Sequence, residues 1–545
     1  MNRHSMFMAG VAALALLVAP AVFAATLSGQ VTSAKEGAIE GVLVSAKKDG
    51  ATITTTVVSD TTGHYAFPDG RLAPGHYALK IRAFGYDLDG PKAANVPATG
   101  NATADVKLVP AKDLAAQMTN AEWLVSAPAD DLMKKNTYGC GTCHTLERVF
   151  RSTYTQDQFQ KDIFPRMVGY SSQSFPNLIQ VRKQVSRMAA ASPLAAFFAS
   201  INLSQNKTWN FPFKGLERPK GDATHVIITE YDLPRISMQP HDVVVDEQGT
   251  VWFSNFGENA LAKLDAKSGK VTEYPYAPTR PGYAFGNLDL ERDQEGNIWL
   301  GMMNQTGIAK FDRKTTKFDF HPIPAALLND TTQQAMVAPM HWEVDGKIWY
   351  NDADNRTLSR FDTKTGTFEP WMNLFSERPK GEQNGAYGIY TDSKNNLFFC
   401  DFPSDKIGRV DAKTGAVSFY QIPTPDSRPR RGRMDAEDRL WFVEWRTDKV
   451  GMLDTKTGVF KEWPVPSQYS APYDATVDKN GEIWTGNDND DRITRIDTKT
   501  GRTIQYLMPH EINVRRVFVD DSTPRPTFWT GSNHTASIFK LEPLD

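Results

Sequence analysis

An aromatic residue recurs at regular intervals through residues 224–545, and this repeat restricts the possible folds more than any other feature. Each aromatic residue lies in a short apolar stretch, and most of these stretches are followed by a second one that ends in Asp and a tight turn. A late Gly in that turn supplies the positive φ that returns the chain into the next strand. Four strands in each unit of about 45 residues predict a β-propeller. The seven aromatic positions, one for each predicted blade, are Trp252, Trp299, Trp349, Phe398, Trp441, Trp484 and Trp529.

The two ends of the repeat indicate how the ring closes. The last unit stops at residues 538–541, one strand short of the others. Residues 229–234, which precede the first full unit, resemble the fourth strand at residues 272–275. That segment would complete the last blade and leave no open edge. The expected architecture is a seven-bladed propeller over residues 224–545, closed by its own N-terminal strand.

The repeats resemble the virginiamycin B lyase (streptogramin lyase) family over about residues 225–545. The similarity is clearest in Leu-Trp-Phe-Val-Glu at 440–444, Lys-Ile-Gly-Arg-Val-Asp at 406–411 and Tyr-Gln-Ile-Pro-Thr-Pro at 420–425. The resemblance implies the propeller fold. It also implies opening of a macrocyclic ester by metal-assisted elimination, with His and Glu on one propeller face. Glu444, at the end of its strand, matches that pattern.

The geometry of a blade places a set of polar residues around the central channel. In an antiparallel blade the innermost strand begins beside the end of the second strand, so both positions surround the channel on one face. The predicted catalytic set from these positions is His241, His341, Arg431 and Glu444. Such a set could bind a divalent metal, an anionic substrate or a proton, or it could be a polar lining bridged by water. Alignment on the aromatic residues gives a first ring of His241, Leu288, Met340, Tyr387, Arg430, Tyr473 and Arg515, a second ring of Asp242, Asp289, His341, Gly388, Arg431, Asp474 and Arg516, and the strand-end or nearby residues Asp352, Asp401, Glu444 and His534.

A Cys-x-x-Cys-His pattern occupies residues 138–144, which read Tyr-Gly-Cys-Gly-Thr-Cys-His. Cys140 and Cys143 have the spacing that joins two thiols to the vinyl groups of a haem, and His144 then follows as the proximal iron ligand. A thioredoxin-like redox pair and half of a zinc site are the alternatives. No βαβ pattern surrounds the segment, and the sequence offers no second Cys pair to complete a zinc site. We therefore predict covalently attached haem c.

The sixth ligand of the haem iron is expected between His144 and the apolar segment at residues 193–201. Met188 lies almost on that segment, whereas Met167 leaves enough chain to cross the haem and follows Pro165. The prediction is His144 and Met167 ligation, which suits an electron carrier. An ordinary core methionine, with an iron site left open for substrate, is the alternative.

The regions before the propeller divide into three parts. Residues 112–201 are predicted to form a small α-helical cytochrome c domain, because residues 113–118 and 156–164 have helical spacing. Residues 202–223, rich in Pro and Gly, are predicted to be a linker. Residues 26–109 alternate β-rich runs with Gly turns and are predicted to be all-β.

The all-β segment resembles the carboxypeptidase regulatory-like family of transthyretin-like β-sandwiches. The matching pattern is Asp-x-x-Gly-x-Tyr-x-Phe at 60–67 and Leu-x-Pro-Gly-x-Tyr at 72–77, with Gly-Tyr at 85–86. The resemblance implies a supporting or binding domain without catalysis. The whole chain is thus expected to be a mainly β, multidomain protein.

The first 24 residues carry the pattern of an export signal. Arg3 precedes an apolar run at residues 9–18, and small residues lead to Ala24. The run is too short to span a bilayer, and Pro20 disfavours a membrane anchor. Residues 1–24 are therefore predicted to be a signal peptide. The mature chain would begin near Ala25 in the periplasm, where bacterial c-type haem is attached.

Composition narrows the classes of partner. A net charge of −3 with 23% charged residues and no basic block gives no reason to expect nucleic acid. No apolar run after the signal is long enough to cross a membrane. Cys400 has no cysteine left to pair with inside the chain, so no disulfide is expected.

Three functions are compatible with these patterns. The first is a periplasmic electron-transfer protein or oxidoreductase, with a small-molecule substrate at the propeller face and a redox partner protein. The second is a streptogramin lyase-like C–O lyase with an accessory cytochrome, which needs a divalent metal but no electrons. The third is a non-catalytic docking and relay protein. We favour the first, because haem implies a redox role.

Overall fold

The chain folds into a mainly β structure with two β-rich parts and a short helical segment between them. The computed structural model describes residues 27–168, 193–330, 332–353, 356–373, 385–532 and 534–544. The predicted signal peptide at 1–24 and the alternative ligand Met188 lie outside the described residues. No helix within the described ranges has the length and apolar character needed to span a membrane.

The N-terminal part is a β-sandwich. The strands are β1 (Leu27–Ser33), β2 (Gly37–Ala38), β3 (Leu43–Lys48), β4 (Ile53–Val58), β5 (His64–Ala66), β6 (Gly75–Arg82), β7 (Tyr86–Gly90), β8 (Ala93–Val96), β9 (Ala102–Thr103) and β10 (Val106–Pro110). One sheet has the order β2-β1-β10-β7, with β5 and β9 also paired to β1, and the second contains β4-β3-β6-β8. Side chains in these strands alternate between core and solvent, so that Tyr77 and Leu79 of β6 are buried while their neighbours are exposed.

A turn in the sandwich explains one of its sequence patterns. The Oδ1 atom of Asp60 accepts hydrogen bonds from the backbone N–H groups of Thr62 and His64, at 2.8 and 3.0 Å. Gly63 adopts a φ of 77°, a conformation that favours glycine. The Asp-x-x-Gly pattern therefore has a structural role in this turn.

The middle segment consists of short helices packed around aromatic side chains. Its helices are α1 (Asn120–Ser126), α2 (Asp131–Lys135), α3 (Glu147–Phe150), α4 (Gln156–Gln158), α5 (Phe164–Val168) and α6 (Pro193–Ile201), with 3₁₀ turns at Ala115–Gln117 and Tyr138–Thr142 and a π turn at Phe159–Ile163. Thr119 and Glu122 form a reciprocal capping box at the start of α1. Trp123, Phe150 and Phe198 are buried in one apolar cluster.

Seven four-stranded blades form the propeller; six are separate sheets, and the seventh is part of a larger sheet. The innermost strands of blades 1 and 7, β12 (Pro240–Val245) and β36 (Val514–Asp520), pack against each other and so close the ring. Blade 1 contains β12 (Pro240–Val245), β13 (Val251–Asn255), β14 (Ala260–Asp265) and β15 (Lys270–Pro275); blade 2, β16 (Leu290–Arg292), β17 (Ile298–Gly301), β18 (Gly307–Asp312) and β19 (Lys317–Pro322); blade 3, β20 (Gln334–Ala338), β21 (Lys347–Asp352), β22 (Thr357–Asp362) and β23 (Thr367–Asn373); blade 4, β24 (Ala386–Thr391), β25 (Leu397–Asp401), β26 (Lys406–Val410) and β27 (Val417–Gln421).

The later blades have the same strand order. Blade 5 contains β28 (Pro429–Met434), β29 (Arg439–Glu444), β30 (Lys449–Asp454) and β31 (Phe460–Pro464); blade 6, β32 (Pro472–Val477), β33 (Glu482–Asn487), β34 (Arg492–Asp497) and β35 (Thr503–Leu507); blade 7, β36 (Val514–Asp520), β37 (Thr527–Ser532), β38 (Ser537–Pro543) and β11 (Val226–Asp232). Short 3₁₀ turns lie at Gly221–Thr224, Ala325–Leu327 and Trp342–Val344.

The recurring Trp has a specific contact that explains its spacing. In blade 1 the indole N–H of Trp252 donates to Asp246 at 2.8 Å, and the same carboxylate caps the turn that joins the first two strands. Blades 2, 5 and 6 repeat this contact with the same separation along the chain, because Trp299 donates to Asp293, Trp441 to Asp435 and Trp484 to Asp478. The aromatic repeat is therefore fixed by a turn-capping Asp as well as by core packing.

Strand β11 joins the propeller to the sandwich. It pairs antiparallel with β38, as the sequence predicts, and this pairing supplies the missing strand of blade 7. Its other edge pairs antiparallel with β4 of the sandwich, where Ile228 lies opposite Thr56. One eight-stranded sheet thus runs from blade 7 into the sandwich.

Candidate functional site

A buried network of ion pairs fills the centre of the propeller. The Arg431 guanidinium donates to both carboxylate oxygens of Asp242, at 2.8 and 2.9 Å, and to Asp289 at 3.0 Å. Arg516 lies 3.2 Å from Asp242 and also pairs with Glu291 at 2.8 Å. Burial opposes ionisation of Asp242, but Arg431, His241 and Arg516 outweigh it and hold the pKa of Asp242 well below its usual range. Asp242 is therefore an anion at neutral pH.

The donor set in this centre does not fit the divalent metal expected from the sequence. Two guanidiniums, those of Arg431 and Arg516, occupy the space beside Asp242 and Asp289 where a cation would bind. Within the part of the chain that the structure describes, His, Cys, Asp and Glu side chains form no group of three or more that could hold a metal ion.

A chain of hydrogen bonds leads outward from Asp242. His241 Nδ1 lies 2.6 Å from Asp242 Oδ1, and His241 Nε2 lies 3.2 Å from the hydroxyl of Tyr473. The Tyr473 hydroxyl lies 2.6 Å from that of Tyr387. Asp242, His241 and Tyr473 are buried, whereas Tyr387 is partly exposed. These four residues, named the relay below, connect the centre of the propeller with its surface.

The protonation of the relay follows from its partners. An ionised Asp242 accepts hydrogen bonds only, so His241 donates from Nδ1 and accepts at Nε2 from Tyr473. Burial lowers the pKa of His241 to about 4, against the opposing effect of Asp242. His241 is therefore a neutral proton acceptor at physiological pH.

Aromatic rings surround a buried guanidinium next to the relay. The Arg430 Cζ atom lies 4.2 Å from the ring centroid of Tyr473, 5.0 Å from that of Trp445 and 5.4 Å from those of Tyr387 and Phe402. Arg430 also donates to Asp488 at 3.0 Å, while its Nε atom is buried without a hydrogen-bond partner among the described residues. These four rings and Arg430 are named the Arg430 cage below.

The CxxCH segment (residues 138–144) lies against the same face of the propeller. Arg515 Nη2 donates to the carbonyl oxygen of Thr142 at 2.7 Å. Asn513 Nδ2 lies 3.5 Å from the carbonyl oxygen of Gly141, and His534 Nε2 lies 3.4 Å from that of Thr142. The face defined by Asn513, Arg515 and His534 is named the covered face below.

Further contacts hold the CxxCH segment on the covered face. The rings of Tyr138 and Trp445 meet edge to face with centroids 5.2 Å apart. A Cβ atom on Gly141 would lie 2.7 Å from Asn120 Nδ2 and 3.2 Å from Asn489 Oδ1, so glycine permits this close approach. Both polar atoms of the Asn489 side chain are buried without a partner among the described residues. The segment and the Arg430 cage therefore adjoin each other through Trp445.

The residues predicted to attach haem have a compatible arrangement. Cys140 and Cys143 are both free thiols, and burial raises the pKa of Cys140 to about 12. His144 Nδ1 lies 2.8 Å from the carbonyl oxygen of Thr145, which leaves Nε2 available as a ligand. Burial lowers the pKa of His144, which favours the neutral, ligating form. The chemistry of this donor set fits a covalently attached haem.

Met167 lies in α5 and packs against the same aromatic cluster as Cys140. Phe159, Phe164 and Phe198 form the neighbouring part of that cluster. The predicted thioether ligand and one of the predicted thioether-forming thiols thus belong to a single apolar environment.

Glu444 lies apart from the central network. It is fully buried at the end of β29, and Thr447 Oγ1 donates to its Oε2 at 3.1 Å. Burial and the nearby Glu462 raise the pKa of Glu444 to about 8, so it is protonated at neutral pH. The contacts described for Glu444 are within blade 5. No contact described for Glu444 joins it to His241 or Arg431, with which the sequence groups it.

Other polar residues at strand ends have the same kind of local role. Asp352 accepts from the backbone N–H of Gln333, and Asp401 accepts from that of Gly385, at 3.0 and 2.9 Å. Asn255 accepts from the backbone of Gly257 and Glu258. These side chains fix the loops on this face, which is a use that sequence position alone did not reveal.

The sequence placed the strand-start positions of blade 3 wrongly. Trp349 lies opposite Ala338, as Trp252 lies opposite Val244, so Ala335 and Met336 are the blade 3 equivalents of His241 and Asp242. Met340 and His341, assigned to these positions from the sequence, follow the end of β20 instead. The cause is the long connection between β20 and β21, which contains a 3₁₀ turn at Trp342–Val344. His341 therefore lies beyond the C-terminal end of β20, where it contacts Gln294 and Glu343.

Two parts of the chain match known protein families. The carboxypeptidase regulatory-like domain matches residues 26–109, and the virginiamycin B lyase family matches residues 372–543. No curated protein matches the chain.

The solved structures that match part of this chain include lyases and an extracellular domain. Virginiamycin B lyase from Staphylococcus aureus is 21% identical, with a TM-score of 0.49, over 58% of this chain and 99% of that chain. A streptogramin B lyase is 23% identical, with a TM-score of 0.49, over 59% of this chain and 99% of that chain. An extracellular domain from B. thetaiotaomicron is 16% identical, with a TM-score of 0.43, over 56% of this chain and 40% of that chain. On the family matches, the chain carries a carboxypeptidase regulatory-like domain followed by a virginiamycin B lyase-like propeller.

Proposed function

We propose that the chain is a periplasmic c-type haem protein of electron transfer, acting as or with an oxidoreductase whose substrate or partner binds the propeller face. The observation that carries this proposal is the placement of the CxxCH segment directly on the propeller, where Arg515 holds the carbonyl oxygen of Thr142. Residues 112–201 would then serve as a small cytochrome c domain.

The chain's own residues have distinct roles in this proposal. Cys140 and Cys143 would hold the haem through thioether bonds to its two vinyl groups. His144 would bind the iron through Nε2, because the carbonyl oxygen of Thr145 holds Nδ1. Met167, in α5, would supply the second protein ligand of the iron. When bound, the haem accepts and releases one electron.

The charges around the Arg430 cage suit a role in binding a redox partner or a small reductant. Arg430 and Arg515 stand beside Tyr473, and Asp488 pairs with Arg430. Rings of Tyr387 and Phe402 are partly exposed next to them. Such a mixture of guanidinium and aromatic surface is common in sites of recognition.

The first experiment is maturation in the periplasm, followed by visible spectra of the air-oxidised and dithionite-reduced protein. We expect haem that stays bound on a denaturing gel, and loss of that haem in C140A and C143A. C400A is the matched control, because Cys400 is buried in blade 4 and should not affect attachment. M167A should lose the weak sulfur-to-iron band. A wild-type protein without covalent haem would refute the proposal.

A lyase activity is the second candidate function, favoured by the match of residues 372–543 to the virginiamycin B lyase family. Glu444 is the residue that fits that family's strand-end pattern. Ester opening of a streptogramin in the presence of magnesium, lost in E444Q and unaffected by loss of haem, would favour this reading. Absence of both haem reduction by small donors and ester opening would leave the docking and relay role.

A further inference from the structure

The relay and the Arg430 cage together have the features of a site that removes a proton from a ligand. The relay offers an unbroken series of hydrogen bonds, of 2.6, 3.2 and 2.6 Å, between Tyr387 at the surface and Asp242 in the centre. Tyr387 is its partly exposed member, so a ligand would meet the relay there. His241, which Asp242 holds at the buried end of this series, is arranged like the histidine base of a catalytic triad, which a carboxylate orients toward the group that loses its proton.

The direction of proton movement is fixed by the residues at the buried end. Tyr473 donates to His241 Nε2, because His241 Nδ1 donates to the ionised Asp242. Asp242 also receives two guanidiniums, Arg431 and Arg516, which keep it ionised and in place. A proton that enters at Tyr387 can therefore be passed to Nε2 of His241, where Asp242 opposes the burial that lowers the pKa of His241.

The surroundings of Tyr387 indicate the chemical class of the ligand. Phe402 provides partly exposed aromatic surface next to it, with ring centroids 5.8 Å apart for Tyr387 and Phe402. Trp445 is buried and packs against Phe402, with ring centroids 5.3 Å apart. Aromatic rings favour another planar ring as a neighbour. Arg430 adds a positive charge within 5.4 Å of these rings, and its buried Nε–H has no partner among the described residues.

We propose that Tyr387, Tyr473, His241 and Asp242 form a general-base relay for a phenolic ligand, whose ring lies against Phe402 and whose phenolate is stabilised by the positive charge of Arg430. The ligand O–H bond breaks, Tyr387 and Tyr473 each pass one proton inward, and an N–H bond forms on His241. The charges balance, because one phenolate and one imidazolium replace two neutral groups. Phenols fit better than aliphatic alcohols, since their hydroxyl is far more acidic.

This proposal rests on the proposed function in one respect only, which is the acceptor of an electron from the phenolate. A phenolate gives up an electron more readily than the neutral phenol, so a site that makes phenolate would prepare a reductant for a haem held by the adjacent CxxCH segment. The proton step itself involves residues of the propeller alone, and it can therefore be tested whether or not haem is attached.

The test uses 4-nitrophenol, whose phenolate absorbs visible light and whose neutral form does not. The full-length mature protein is titrated at a pH below the pKa of free 4-nitrophenol, and difference spectra are recorded against protein alone. We expect the nitrophenolate band to appear on binding. The apparent pKa of the bound ligand should lie below that of the free ligand and return toward it in H241Q.

Variants separate the relay from general effects on the fold. Y387F and Y473F should weaken nitrophenolate binding about tenfold or more, since each removes a hydrogen bond that connects the ligand to His241. Y276F is the matched control, because Tyr276 also bonds to a side chain, that of Asn287, but lies outside the relay. H341Q is the control for H241Q. Circular dichroism establishes whether each variant is folded. If Y473F does not fold, the relay is tested by Y387F, because Tyr387 is the less buried of the two tyrosines.

The possible outcomes distinguish the two proposals. Nitrophenolate binding in a protein that carries no haem would support the relay and refute the proposed function. Covalent haem without nitrophenolate binding would refute the relay. Binding of the neutral form alone, or binding that Y387F leaves unchanged, would also refute the relay.

Discussion

The guanidinium of Arg515 donates a hydrogen bond of 2.7 Å to the carbonyl oxygen of Thr142, and so the last blade of the propeller holds the peptide that carries the Cys-x-x-Cys-His pattern. The same guanidinium lies 5.1 Å from the ring centroid of Tyr473. One side chain thus contacts both the CxxCH segment and the relay.

Replacing Arg515 by Met should loosen the CxxCH segment. The change removes a charged hydrogen-bond donor, which costs about 1.5–3 kcal/mol of the free energy of unfolding. Chemical denaturation measures this loss, and limited proteolysis should show faster cleavage near residues 138–144. R502M is the control, because its ion pair with Asp222 is largely exposed and contributes less than about 1 kcal/mol. Equal effects of the two variants would contradict the role of Arg515.

The two glycines next to Cys140 should respond differently to alanine. In G141A the new Cβ would lie 2.7 Å from Asn120 Nδ2, while Asn120 Oδ1 is held by the backbone N–H of Leu146 at 2.7 Å. We expect a loss of about 1–3 kcal/mol from overpacking and reduced haem attachment. G139A should be nearly neutral, because no atom lies within 4 Å of its Cβ position. Thermal unfolding of both variants tests this contrast.

The stability of the protein should fall with rising pH because of Glu444. Burial and Glu462 raise the pKa of Glu444 to about 8 in the folded protein, from the ordinary value of 4.5. Between these values the folded state binds more protons than the unfolded state. Stability is therefore lost as the pH rises, by up to about 1.4 kcal/mol per pH unit.

The variant E444Q should remove this pH dependence, because the amide cannot ionise and its oxygen can still accept from Thr447. Denaturation at pH 5 and pH 8 should show the variant gaining on the wild type at the higher pH. D411N is the control, because hydrogen bonds from Thr414 hold the pKa of Asp411 to about 2, outside this range. A gain for D411N equal to that for E444Q would argue against burial as the cause.

A proline in strand β4 should destabilise the propeller as well as the sandwich. Thr55 lies opposite Ala46 of β3 and Thr229 of β11, so T55P removes a backbone donor from a strand that is paired on both sides. We expect one unfolding transition at a lower temperature, followed by both far-UV circular dichroism and tryptophan fluorescence. T99P is the control, because Thr99 is exposed outside the strands. Unchanged fluorescence unfolding in T55P would show that the two domains unfold separately.

The sequence predicted the propeller well because its repeats obey a local rule. An indole donates to an Asp of the preceding turn, as Trp441 does to Asp435, and this contact keeps the strand spacing visible along the chain. The closing strand was predictable for a similar reason, since an incomplete last blade requires a partner for β38. Six of the seven strand starts were also located correctly from this spacing.

The errors in the site have physical causes. Blade 3 carries a longer connection between its first two strands, which moved the assignment from Met336 to His341. Glu444 resembles a channel residue by position, but its side chain is used within its own blade. The contact between Arg515 and Thr142 joins residues far apart in the chain and has no periodic signal. The relay was visible only as separate members of the two rings, because a hydrogen-bond series depends on distances that the sequence does not contain.

The position of β11 between β4 and β38 also has a consequence for the order of folding. During synthesis β4 and β11 are made well before β38, so the ring cannot close until the last residues of the chain are available. The sandwich, which is complete by then, can cover one edge of β11 in the meantime. An uncovered strand of this kind is where newly made chains associate with one another. The N-terminal domain would therefore act as an internal chaperone for the strand that finally closes the propeller.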